Sequence, residues 1–208
     1  MRRSLSVAEE KTELRRRGYA ARRAANHRAE ASRTACENVL GTPEYRKSDT
    51  VLWYLNIRTE LQTQQTVRSE LESTRTIVIP WVSGNDLRLW RLTGFGELES
   101  GAFGILEPRT ARREDPTRDV DPADVDLVVV PGVGFDAWGN RIGNGHGHYD
   151  RFLSRVGGDT ALIGLGFEAQ RFDHVPHEPH DRAVHKVVTE AGIWTRGVLA
   201  KPVDIPAG

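Results

Sequence analysis

An α/β architecture follows from three features of the 208-residue sequence. Two short runs, Asp126–Val130 (DLVVV) and Ala161–Phe167 (ALIGLGF), are continuously apolar, the pattern of parallel strands covered on both faces. Between them, His148–Val156 places Tyr149, Phe152, Leu153 and Val156 at i, i+3, i+4 and i+7, one face of an amphipathic helix. Strand, loop, helix and strand then make a βαβ unit. The third feature is Val7–Leu40, rich in Ala, Arg and Glu with no Pro and a single Gly, which reads as one long helix.

The remaining elements follow in chain order. The long helix has a thin apolar stripe of mostly alanine, so it is expected to lie across a surface, with Gly18 the place for any break. Thr42-Pro43 ends it. Thr50–Ile57 (TVLWYLNI) reads as a buried strand and Gln62–Ser73 as a polar helix. Thr76–Pro80 (TIVIP) is a short strand stopped by its proline, and Asp86–Thr93 an edge strand. Gly94–Asp124 reads mostly as loop, with a turn at Glu107-Pro108. Near the C-terminus, Lys186–Thr189 and Ile193–Leu199 add short strands.

Composition narrows the function classes. Lys+Arg and Asp+Glu balance at 29 each, against the basic footprint of a dedicated nucleic-acid binder. The lone Cys36 excludes an intramolecular disulfide framework and any CxxC site, and fits a cytoplasmic, reducing setting. No apolar run approaches the length of a membrane span and no signal-peptide pattern is seen. Charge is uneven locally. Residues 1–34 carry ten Lys and Arg against four Glu, a net of +6, while Glu114–Asp126 holds six acids against Arg118. A solvated helix and a polar loop account for this asymmetry; a nucleic-acid or partner-binding arm is the alternative.

The link between the strand at Val130 and the helix at His148 is unusual. It holds Gly132, Gly134, Gly139, Gly143, Gly145 and Gly147 within sixteen residues. Glycine lets main-chain amides approach a ligand without a Cβ in the way, and the link runs from the carboxyl end of a core strand to a helix N-terminus, where anions bind. A phosphate site is the favoured reading, against a purely structural turn. The run has neither Walker nor GxGxxG spacing. Asp150, in the first helical turn, either serves the helix dipole or holds Mg²⁺ beside a polyphosphate.

The stretch PGVGFDAWGNRIGNGHGHYDRFL resembles the signature of the 5-formyltetrahydrofolate cyclo-ligase family, also called 5,10-methenyltetrahydrofolate synthetases. Lys11 and Arg15, Trp53-Tyr54-Leu55 with Glu60-Leu61-Gln62-Thr63, Ile79-Pro80, Gly104–Pro108 and Val175-Pro176 with His180-Asp181 follow in the family's order. The resemblance runs from about Lys11 to about Thr189. It implies a single three-layer α/β/α domain over 1–208 with a mostly parallel central sheet and a long N-terminal helix, on a scaffold similar to that of phosphosugar isomerases and CoA transferases, with flexible termini at 1–6 and 203–208. It implies an ATP- and Mg²⁺-dependent ligase, monomeric or a homodimer, without nucleic-acid or membrane partners. In that reaction the formyl oxygen of 5-formyltetrahydrofolate takes the γ-phosphoryl group, and N10 then closes on the formyl carbon as phosphate leaves.

By resemblance, ATP contacts fall to Lys11, Arg15 and the run Arg141, Ile142, Gly143, Asn144, Gly145, His146, Gly147, His148 and Tyr149. Arg141, Tyr149 and Asp150 are the implied catalytic residues, and Asp150 and Asp181 the implied Mg²⁺ ligands. Leu55, Glu60, Phe103, Asn144 and His148 match folate contacts, although plain core roles stay open for Leu55 and Phe103. Lys11 and Arg15 lie one helical turn apart and project from one face; both are expected at the surface. This chain departs from the family pattern at His148, where tyrosine is usual, and at Asn144, where arginine often stands. The spacing His174-x-x-His177-x-x-His180 invites a transition-metal reading, but Pro176 and Pro179 interrupt it and surface loop histidines are favoured. A same-scaffold enzyme for another small substrate is the remaining alternative.

Overall fold

The computed structural model describes residues 6–101, 104–179 and 181–200. The expectations for the two termini therefore lie outside the described residues, apart from Ser6, and so do those for Phe103 and His180. Helices α1 (Val7–Ala24), α2 (Arg28–Leu40) and α3 (Pro43–Lys47) precede strand β1 (Thr50–Leu52) and helix α4 (Gln64–Glu70). Strands β2 (Thr76–Ser83), β3 (Asp86–Arg91), β4 (Leu98–Ser100) and β5 (Leu106–Pro108) lead to β6 (Leu127–Pro131). Next come β7 (Gly134–Asp136), β8 (Arg141–Ile142), α5 (His148–Leu153) and β9 (Ala161–Leu165). The chain closes with β10 (Arg171–Phe172), β11 (Lys186–Thr189), β12 (Gly192–Thr195) and β13 (Val198–Ala200).

The main sheet has the order β13-β12-β11-β9-β6-β1-β2-β3. Its five central strands, from β11 to β2, pair in parallel. Antiparallel strands close both edges, β3 on one side and the β12–β13 hairpin on the other. Alternation along each strand splits the core in two. Val51, Ile77, Ile79, Leu127, Val129, Ile163 and Val188 face a cluster with Ala35, Cys36 and Val39 of α2, Tyr45 of α3 and Val67 of α4. Leu52, Val78, Val128, Val130, Leu162 and Val187 face Phe152, Leu153 and Val156 at and beyond α5. Helices thus cover both faces, the three-layer α/β/α arrangement. A third cluster, Leu14, Val133, Ile142, Phe172 and Val175, seats α1 on a small sheet ordered β10-β7-β8.

Several elements differ from the sequence reading. The N-terminal helix is two helices, parted at residues 25–27 rather than at Gly18. Ala25 is extended and His27 takes φ 47°, a left-handed conformation in which histidine is enriched. Gly18 lies within α1, and the main chain of Val133 packs on it; a Cβ there would lie 2.3 Å from the Val133 carbonyl oxygen. Ser6 and Glu9 form a capping box at the start of α1. Pro80 does not stop its strand. β1 ends opposite Val78 and Pro80 sits in a pair with Leu89; alternation of the β2–β3 ladder puts Pro80 in a non-hydrogen-bonded pair, so its missing N–H interrupts no rung. Glu107-Pro108 is strand pairing with Leu98 and Glu99 rather than a turn. The ladders of β1, β9 and α4 are shorter than the apolar or polar runs that announce them, and α5 ends at Leu153. The sequence reading also lacks the β4–β5 and β7–β8 hairpins, the second inside the glycine-rich link.

Candidate active site

Helix α1 packs on the segments that follow β6 and β9, residues 132–142 and 168–170. Beyond β6, the chain turns through Gly132 and Val133 into the β7–β8 hairpin. Gln170, just past β9, donates from Nε2 to the carbonyls of both Gly132 and Val133 at 2.9 Å. Asp136, fully buried, organises the hairpin tip. Oδ1 accepts from the Trp138 and Asn140 amides at 3.0 Å each, and Oδ2 from Asn140 Nδ2 at 2.8 Å and the Val175 amide at 3.1 Å. Gly139 takes φ 92° where a Cβ would meet the Val184 carbonyl oxygen at 2.0 Å, so only glycine serves there.

Helix α1 lies along this hairpin. Arg15 Nε donates to the Gly143 carbonyl at 3.0 Å, and Tyr19 Oη donates to Asn144 Oδ1 at 2.7 Å. Arg22 donates to the Gly132 carbonyl. Lys11 reaches past the hairpin, with Nζ 2.7 Å from Glu178 Oε2 and 2.6 Å from Asp181 Oδ2. The Lys11 side chain is only 13% exposed, so the surface position expected for it is corrected. The two carboxylates draw it in. Burial opposes its charge, but hydrogen bonds to Asp181 and Glu178 outweigh that and hold its pKa above the ordinary lysine range. Arg15 is half-buried.

The run from Arg141 to Asp150 wraps the other side. Arg141 is buried and ion-paired to Asp150, and its Nε is buried without a partner among the described residues. Ile142 is a core residue beneath α1. Asn144, Gly145 and His146 are exposed; Gly145 takes φ 94° facing the Arg15 guanidinium, and Gly147 caps α5 at φ 67°. The His146 and His148 rings stack with centroids 6.0 Å apart. His148 Nδ1 lies 3.0 Å from the Asn85 carbonyl oxygen, which also accepts from Arg151 at 2.7 Å. The β2–β3 turn is thereby fastened to the start of α5.

Deeper in, Tyr149 presents an occluded hydroxyl with no hydrogen-bond partner among the described residues. Burial, reinforced by the nearby Glu60 carboxylate, pushes its pKa far up and keeps it a neutral phenol. Glu60 is buried beside Arg22, with Oε1 3.8 Å from Nη1, and burial raises its pKa against the pull of that guanidinium. Leu55 is 7% exposed and belongs to the core cluster on the α2 face.

Lys11, Arg15, Ile142, Gly143, Asn144, Gly145 and Asp181 are therefore gathered at α1, Arg141 pairs with Asp150, His148 is tied to the β2–β3 turn, and the Glu60 carboxylate and the Tyr149 hydroxyl are occluded. Asp150 and Asp181 each answer a different cation, and Phe103 lies outside the described residues. Arg22, Glu178, Asp136 and Asn85 were not singled out from the sequence. The first had a signal: Lys11, Arg15, Gly18 and Arg22 recur at helical spacing, so a glycine and a third cation share the face of the first two. Nothing local distinguishes Asn85.

Fold and cluster together define an α/β protein whose chemistry-bearing side chains collect at the carboxyl edge of a parallel sheet, where ligands of open sheets bind. The chain belongs to the 5-formyltetrahydrofolate cyclo-ligase family, whose model matches residues 7–190, and is an enzyme of that cyclo-ligase class. It is 26% identical over 175 residues to 5-formyltetrahydrofolate cyclo-ligase of Mus musculus, covering 80% of this chain and 85% of the relative. Against the Escherichia coli K12 cyclo-ligase it is 27% identical over 170 residues, covering 79% and 91%. The NMR structure of Aquifex aeolicus 5,10-methenyltetrahydrofolate synthetase superposes with a TM-score of 0.77 at 32% identity, over 94% of this chain and 97% of that one. The Mycoplasma pneumoniae synthetase, at 18% identity and a TM-score of 0.67 over 86% and 98%, shares the fold. No described helix is long and apolar enough to cross a membrane.

Proposed function

We propose that this chain converts 5-formyltetrahydrofolate to 5,10-methenyltetrahydrofolate at the expense of ATP, releasing ADP and phosphate. Beyond family membership, one contact supports the reading most: Arg15 on the Gly143 carbonyl at 3.0 Å. It carries a cationic helix face across 128 residues of sequence onto the glycine-rich loop, giving a phosphate chain both cations and bare main chain. In the proposed sequence the formyl oxygen bonds to the γ-phosphorus while the bond to the β,γ-bridging oxygen breaks and ADP leaves. N10 then bonds to the formyl carbon, the carbon–oxygen bond breaks, phosphate departs, and the N10 proton passes to solvent.

No protein nucleophile is needed; positioning and charge stabilisation carry such chemistry. Lys11, Arg15 and Arg141 supply positive charge to the triphosphate, Arg15 and Arg141 as planar forks and Lys11 as a point charge. Residues 143–147 offer main-chain amides. Glu60, Leu55 and His148, with Phe103, are the proposed folate contacts, and the neutral Tyr149 hydroxyl is available as a donor. Among the described residues no three His, Cys, Asp or Glu side chains gather to enclose a metal by themselves. The donors Asp150 and Asp181 nevertheless fit Mg²⁺, a hard ion content with one or two carboxylates plus phosphate oxygens and water. When bound, Mg²⁺ would neutralise charge on the transferring phosphoryl group. The test is the near-ultraviolet band of methenyltetrahydrofolate, followed from 5-formyltetrahydrofolate with and without Mg-ATP. A band that grows only with Mg-ATP supports the reading, and a flat trace in the complete mixture rejects it.

A further inference from the structure

Arg22 has no task in the reaction just described, yet it is among the most buried cations of the molecule, with a side chain 5% exposed. It is tethered to the Gly132 carbonyl, and its Nη1 stands 3.8 Å from Glu60 Oε1. Its Nε is buried and unpartnered among the described residues. On Glu60, Oε2 accepts from the Ile57 amide at 3.2 Å. A carboxylate in such a place is tolerated only when a counter-charge compensates it. Here the counter-charge stands outside hydrogen-bond distance. Arg22 therefore offsets part of the cost of burial, and Oε1 keeps its accepting capacity.

We infer that Arg22 is a positioning residue for the folate site, favouring the carboxylate form of Glu60 and leaving Oε1 available to an N–H donor of the substrate. The inference rests on the proposed activity for the identity of that donor; the Arg22–Glu60 coupling itself does not. The groups facing Glu60 are Arg22 of α1, Tyr54 beyond β1 and Tyr149 of α5, with Arg141 of β8 behind Tyr149. Arg28 of α2 reaches the Glu60 main-chain carbonyl at 3.3 Å. Burial keeps both tyrosines neutral, and among these groups Arg22 is the cation that opposes the burial of Glu60. Removing it therefore raises the pH below which Glu60 is protonated.

The experiment compares Arg22→Met, Arg22→Lys, Glu60→Gln and the Arg22→Met/Glu60→Gln double variant with the parent chain. Carboxyl ¹³C NMR, with the Glu60 signal assigned by its loss in Glu60→Gln, should place the Glu60 midpoint about one pH unit or more higher in Arg22→Met, a tenfold change in proton affinity. Arg22→Lys should restore it. The acid limb of kcat/KM for 5-formyltetrahydrofolate should move up by the same amount, and KM for the folate should rise about tenfold while that for ATP stays within about twofold. In the Glu60→Gln background Arg22→Met should add little. An unmoved midpoint, an equal rise in both KM values, or an undiminished effect in the double variant overturns the inference. A parent chain that forms no methenyl product rejects the folate reading alone, and the carboxyl titration then decides the coupling.

Discussion

Lys11 and Arg15 are one turn apart, yet one is tied to carboxylates and the other to a main-chain carbonyl. Replacing either with alanine should raise KM for ATP roughly ten- to a hundredfold, the weight of one charge-assisted hydrogen bond, and leave KM for the folate nearly unchanged. Steady-state kinetics with each substrate varied checks this; unaltered nucleotide kinetics in both variants would remove α1 from the proposed ATP site. Asp150→Asn keeps the shape of the side chain but removes its charge. If the carboxylate helps hold Mg²⁺, kcat should drop by at least about a hundredfold, whereas near-parental turnover would reduce Asp150 to a partner for Arg141 and the helix dipole. Cys36 offers a test of packing. It is 1% exposed, and burial lifts its pKa to about 11. At pH 8 only about one molecule in a thousand carries the thiolate, so a disulfide reagent should label it slowly in the native state and rapidly in denaturant.

At the scale of elements, the docking of α1 depends on Gly18 more than on its sparse apolar stripe. Gly18→Ala gains up to about 1 kcal/mol of helix propensity. It also drives a Cβ to 2.3 Å from the Val133 carbonyl oxygen, and overpacking of this kind costs about 1–3 kcal/mol. The clash should win. Denaturant unfolding is expected to show a net loss, and KM for ATP should rise as α1 lifts from the hairpin. Such a contact marks what the sequence discloses and what it hides. The β6–α5–β9 unit was legible because continuous apolar runs and a 3.6-residue period are local properties. The β7–β8 hairpin was not: its rungs join residues inside a glycine-rich stretch, and Asp136, which organises its tip, also reaches the amide of Val175, 39 residues on. The break at His27 was misplaced to Gly18 because a lone glycine looks like a weak point until the backbone packed against it is seen.

For the molecule as a whole, nucleotide should bind the folded chain and not the unfolded one. At a hundred times its Kd, Mg-ATP would add about 2.7 kcal/mol, or about 5–10 °C in Tm for a chain of this size. Thermal scanning should show that rise, and EDTA should diminish it. A Tm indifferent to Mg-ATP at millimolar concentrations would argue against a nucleotide site. The candidate site was legible as motifs scattered along the chain, and its inner layout was not, since residues such as Arg22 and Glu60 meet only through tertiary packing. The Lys11 bonds to Glu178 and Asp181 span 167 and 170 residues, with a consequence for biosynthesis. A ribosome adds about 5–20 residues per second, so α1, once made, waits about 10–30 s before its anchors at Glu178 and Asp181 exist. Its many charges suit that delay, keeping the nascent segment solvated until the loop that carries Glu178 and Asp181 arrives to receive it.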